Sequence, residues 1–97
     1  MRARSAPPHP GDVLLQQYLV PRGIVQSHFA SAIGMKEPNL TSFIKGRRDL
    51  TAWMAWALAA EFSTKPEYWA LLQMRYDLWH ARPRRAGRKP GSKSRRR

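Results

Sequence analysis

An all-α fold follows from three features of the sequence. Apolar residues recur at helical spacing, no segment alternates apolar and polar residues over strand length, and proline or glycine falls where one helix would stop and another begin. Of 97 residues, a basic low-complexity end leaves about 75 for one ordered domain. A chain of that size buries only about 60% of the surface it exposes when unfolded, so a partner covering apolar surface would matter.

The elements are read in order. Pro10 and Gly11 open a first helix through VLLQQYL, which stops near Pro21 and Gly23. A short second helix covers Gln26 to Ile33, and a third runs from Glu37 to Lys45, with Pro38 tolerated in its first turn. Gly46 is placed to end that helix in a left-handed conformation. Thr51 is a good N-cap for a fourth helix, Ala52 to Phe62. Pro66 opens a fifth that reaches about His80 and is stopped by Pro83, which completes a compact domain of five helices.

The net charge of +12 is unevenly spread. Residues 1 to 81 hold nine Lys or Arg and all six acids, a balance of +3; the other nine cations lie in RPRRAGRKPGSKSRRR, residues 82 to 97. A segment with two prolines, two glycines and no large apolar side chain buries too little to offset its ordering entropy. The expected organisation is a flexible amino end (1–8), a helical domain (9–82) and a disordered basic tail (83–97). The tail is either a sequence-independent grip on phosphates or a solubilising end.

Several function classes are disfavoured. There is no cysteine, hence no disulfide frame and no thiolate zinc site, which fits a reducing cytoplasm. His9, His28 and His80 lack metal-ligand spacing, so no metal is expected. No apolar run approaches the roughly 18 residues of a membrane span, and MRARSAPPHPG lacks the apolar stretch of a signal peptide. With no glycine-rich phosphate loop and no Ser-His-Asp arrangement, neither an enzyme nor a bound cofactor is expected.

The second and third helices are spaced as a helix-turn-helix. Ala30 is small where the helices would cross, and Gly34 sits where a tight turn needs positive φ. Phe29, Ile33, Met35, Leu40, Phe43 and Ile44 are apolar at the positions that fill the space between them. An ordinary helical hairpin shows the same spacing.

The flanks are more specific. HPGDVLLQQYLVPRG before the motif, and RRDLTAWMAWALAAEFSTKPEYWALLQMRYDLWHAR after it, resemble the HigA antitoxins, a branch of the XRE-type helix-turn-helix regulators also known as plasmid-maintenance antidotes. The resemblance spans His9 to Arg82, and its most distinctive parts are HPG, the motif itself, PEYW and YDLW. It implies a lambda-repressor-like fold and a homodimer that binds a two-fold operator in its own promoter. It also implies a partner, a HigB-type ribonuclease toxin of the RelE-like fold.

At 100° per residue, with Leu40, Phe43 and Ile44 facing the core, Pro38, Ser42 and Lys45 point outward, flanked by Asn39 and Thr41, with Lys36 and Glu37 at the helix tip. The base-facing candidates are Lys36, Glu37, Pro38, Asn39, Thr41 and Ser42. Asn39 suits adenine, Thr41 and Ser42 suit bases or phosphates, and Glu37 can accept from cytosine. Lys45, Arg47 and Arg48 suit phosphates, as does Gln26, where the family carries the same residue. A solvated helix face would look similar.

Departures from the family are visible. Val25, Lys36 and Lys65 stand where it usually has capping Ser or Thr, each absent cap costing about 1 kcal/mol. Gln16 and Gln17 are neutral where relatives are often acidic, and Trp53, Ala57 and Ala60 occupy commonly charged positions, which suggests either an additional contact site or a Trp53 folded down onto the domain. The fifth helix is apolar on more than one face. Trp69, Leu72, Tyr76 and Trp79 are therefore expected at a dimer interface, with burial in a monomer core as the alternative. The leading function is a DNA-binding antitoxin that represses its own operon in the cytoplasm. A stand-alone repressor without a toxin, or a nucleic-acid-coating role driven by the tail, are the alternatives.

Overall fold

The computed structural model describes residues 6 to 81. Arg82, the basic segment 83–97 and the first five residues of the amino end lie outside the described residues. In order, the elements are α1 (Pro10–Val13) continued by a π-helical stretch (Leu14–Leu19), α2 (Gln26–Ile33), α3 (Glu37–Ile44), α4 (Ala52–Phe62) and α5 (Pro66–Ala81). Strands are absent among the described residues.

The first helix departs from the single α-helix expected. The backbone widens after Val13, and the Val20 amide donates to the carbonyl of Leu15 and that of Ile24 to Leu19, each five residues back at 2.9 Å. In an α-helix, residues five apart lie about 140° from one another on the surface. The wider turn brings Leu14 and Leu19 to one side, and both are fully buried.

His9 caps α1, its Nδ1 accepting from the Gly11 amide at 2.9 Å. Gly11 then touches α3 so closely that a Cβ there would overlap the Phe43 carbonyl oxygen and lie 2.8 Å from the Ile44 Cα. The α2 and α3 N-caps, Val25 and Lys36, are extended and make no side-chain capping bond, as their identities imply. Thr51 caps α4 by accepting from the Met54 amide at 3.1 Å. Gly34 and Gly46 take the positive φ expected of them, 78° and 79°, closing α2 and α3.

The core joins all five helices through Val13, Leu14, Leu19, Phe29, Ala30, Leu40, Phe43, Ile44, Met54, Ala55, Leu58, Ala59 and Trp69. Two aromatic groups extend it. Tyr18 packs on Phe62 and Trp69, with ring centroids 4.6 and 5.2 Å away, and Phe62 stacks on Phe29. On another side His9 stands edge-on to Phe43 and to Tyr76 of α5.

One buried polar side chain ties the loop after α3 to α5. Gln73 accepts from the Leu50 amide at 2.7 Å and donates to Asp77 at 2.9 Å and Asp49 at 3.3 Å. Its amide is thereby satisfied inside the protein, as a buried polar group must be.

Candidate nucleic-acid interface

The polar surface of the helix-turn-helix is built on α3, which α1 and α2 hold by its buried side, Leu40, Phe43 and Ile44. That anchoring leaves Lys36, Glu37, Pro38 and Lys45 exposed, and Asn39, Thr41 and Ser42 half-buried. Arg47 and Arg48, in the turn after the helix, are exposed. From Lys36 to Arg48 there are four cations and one carboxylate, Glu37. The field over this surface therefore favours an anion.

Two side-chain contacts change how these residues read. Arg48 donates from Nη1 to Asn39 Oδ1 at 2.8 Å, so a residue expected on phosphates and one expected on bases form one unit. With Oδ1 engaged, the Asn39 amide is turned with a fixed orientation, which spacing along one helix could not show. Thr41 donates to Gln26 Oε1 at 3.4 Å, a long bond that links α3 to the start of α2. Gln26, half-buried, thus belongs to the same surface.

A groove runs beside this surface, between the amino ends of α3 and α4. Lys36, Asn39, Arg48, Thr51 and Trp53 are among its lining. Trp53 was expected at an additional contact site or folded down onto the domain; it lines the groove between the amino ends of α3 and α4 while staying more than half exposed.

The expected dimer residues divide. Trp69 is fully buried in the chain's own core, its Nε1 donating to Thr64 Oγ1 at 2.8 Å, and this corrects its assignment to an interface. An indole filled around by Tyr18 and Tyr68 has no face left for another chain. Leu72 is half-buried against the core, and Tyr76 is half-buried between His9 and His80. Trp79 is also half-buried. The exposed apolar side chains of α5 are Tyr68, Leu71, Met74 and Leu78, spaced three or four residues apart on one face. Met74 was missed in the sequence because its neighbours gave no sign of which face would be covered.

Among the described residues no group of three or more His, Asp or Glu could hold a metal ion, and no helix is long and apolar enough to cross a membrane.

No protein-family model matches the chain. It is 34% identical over 83 residues to the protein named Antitoxin HigA-1 of Vibrio cholerae, covering 86% of this chain and 78% of that one. It is 35% identical over 78 residues to an uncharacterised helix-turn-helix transcriptional regulator, YbaQ, of Escherichia coli K12, covering 80% and 69%. Among solved structures, the Pseudomonas aeruginosa antitoxin HigA with the higBA promoter superposes with a TM-score of 0.74 at 31% identity, covering 77% of this chain and 82% of that one.

Proposed function

The chain belongs to the HigA family of helix-turn-helix antitoxins, and from that premise we propose that it binds its own operator as a homodimer, represses its own transcription, and neutralises a HigB-type ribonuclease toxin by direct binding. It is a binding protein rather than an enzyme. The observation that carries the reading is the polar side of the helix-turn-helix, where Asn39 of α3, Lys36 at its N-cap and Arg48 of the turn after it stand together while the other side of α3 is locked into the core. The relative with the same fold is held on promoter DNA.

Base contacts fall to Lys36, Glu37, Pro38, Asn39, Thr41 and Ser42, and phosphate contacts to Gln26, Lys45, Arg47 and Arg48. A dimer through the exposed face of α5 sets two such helices on two half-sites. The basic segment 83–97 adds a grip on phosphates, and the protein acts in the cytoplasm, where its DNA lies.

Co-expression with the product of the adjoining gene tests the toxin arm: a stable complex is expected, and its absence leaves a stand-alone repressor. That second reading has support in the neutral, exposed Gln16 and Gln17. Fluorescence anisotropy on the DNA upstream of the gene tests the operator arm. Asn39→Ala with Ser42→Ala should weaken operator binding by about 1–3 kcal/mol per base contact and spare random DNA. Deleting 83–97 should weaken both and flatten the salt dependence by about 0.9 for every phosphate the tail had neutralised.

A further inference from the structure

Trp53 and Trp56 are one turn apart on α4 and both are more than half exposed. Only Trp53 reaches the groove beside α3, where it faces a lining that includes Lys36, Asn39, Arg48 and Thr51 and contains no carboxylate. The groove thus offers two cations, a hydroxyl, the Asn39 amide and an apolar wall made by Met35, Met54 and the Trp53 indole. Arg48 is fixed at its edge by the 2.8 Å bond to Asn39, which uses one of the five guanidinium N–H donors.

That combination matches the backbone of duplex DNA. A phosphodiester supplies anionic oxygens for Lys36 and Arg48, and the deoxyribose next to it supplies an apolar face for the indole. An apolar protein partner would bury both cations without compensation, which is costly. Lys36 and Asn39 belong to the groove and to the reading face of α3 at once, so DNA lying along α3 passes the mouth of the groove.

We infer that Trp53 is a DNA-binding residue, packing on a deoxyribose beside a phosphate held by Arg48, and that Lys36, given above to the base-facing set, turns to that phosphate instead. The assignment rests on the operator-binding reading. Because sugars are alike in every sequence, this contact adds affinity without choosing bases.

The test is fluorescence anisotropy of the full chain on the upstream duplex and on a random duplex, at several salt concentrations. Trp53→Ala should weaken binding about tenfold on both duplexes, a loss of roughly 1.4 kcal/mol, and leave the salt slope unchanged. Lys36→Ala should reduce the slope by about 0.9. Trp53→Phe, which keeps a ring on the sugar, should lose less than Trp53→Ala, and Trp56→Ala should bind like the parent protein. Circular dichroism confirms that each variant is folded, and Trp53→Phe decides the matter should Trp53→Ala not be.

Parent-like binding by Trp53→Ala, while the parent itself binds the upstream duplex, overturns this assignment alone. Loss on the upstream duplex only overturns it too, since that marks a base contact. A parent protein that binds neither duplex overturns the operator reading and this inference with it. An acidic protein segment as the true occupant would show as DNA binding untouched by Trp53→Ala and Lys36→Ala together.

Discussion

Helices α4 and α5 each carry two tryptophans and place them differently. Trp53 and Trp56 of α4 are 53% and 67% exposed, whereas Trp69 of α5 is fully buried and Trp79 half-buried. The two helices pack more extensively on each other than any other pair, so distance from the core is not the cause. What differs is the side chain each turns inward. On α4 these are Met54, Ala55, Leu58 and Ala59, and at 100° per residue Trp53 and Trp56 fall on the opposite side of the helix. On α5 only Trp69 and Gln73 are buried, so a wider gap is filled by one large ring whose N–H is satisfied by Thr64. A tryptophan contributes to stability or to a partner's surface according to the face of its helix that it occupies and what packs against that face.

The largest effect that sharpens this contrast is on stability. Trp69→Ala should cost about 3–5 kcal/mol in urea unfolding, from reduced burial plus the cavity left behind. Trp56→Ala should stay within about 0.5 kcal/mol, as surface changes do. Equal losses would break the comparison.

The exposed face of α5 gives the next effect. If the proposed dimer forms through this face, Leu71→Glu with Leu78→Glu should raise its dissociation constant by about 100-fold, roughly 2.7 kcal/mol, by sedimentation equilibrium, with helical content retained. A dimer that survives the change places the interface elsewhere, with the α4 surface around Trp56 the next to test.

Gln73→Leu probes the polar part of the same buried strip. It leaves the Leu50 amide without its acceptor, and a loss of about 1–3 kcal/mol in urea unfolding is expected. A neutral outcome would mean that water replaces the side chain at once.

The smallest effect is pH-dependent and concerns the other contact of α5 with the amino end, His9 against Tyr76. Burial lowers the His9 pKa from its usual 6.5, outweighing the carboxylates of Asp49, Asp77 and Asp12 and the hydrogen bond with the Arg48 backbone. The imidazole is held at Nδ1, which accepts from the Gly11 amide. On acidification the unfolded chain binds the proton first. Stability from this group is therefore complete above pH 6.5 and declines as pH falls from there toward the lowered folded value. His9→Asn, which keeps a capping oxygen, should flatten that part of the profile of urea midpoint against pH.

The boundaries of α2 to α5 were legible within a residue or so, because their signals are local. Thr51 caps through its own hydroxyl, and Gly34 and Gly46 end helices by a backbone conformation that other residues rarely adopt. The helix-turn-helix and the outward positions of Pro38 and Lys45 were legible for the same reason, since 100° per residue is a property of one helix, whereas Ser42, expected outward with them, is half-buried. The coupling of Asn39 to Arg48 was not, nor was the reach of Trp53 into the groove, since both depend on how the turn after α3 comes back.

The boundaries of α2 to α5, most of the residues that share a side of α3, and the family were thus written in the sequence. Only the tertiary structure decided that Trp69 is core and not interface, that Leu14 and Leu19 share a side through a widened turn, and that Gly11 must be glycine because Phe43 lies against it. Periodicity records that a side chain faces inward or outward relative to its own axis. Whether an inward face meets a small residue, a ring or a backbone carbonyl depends on segments tens of residues away, such as Phe43 against Gly11 or Gln73 against Leu50, and no local pattern carries that distance.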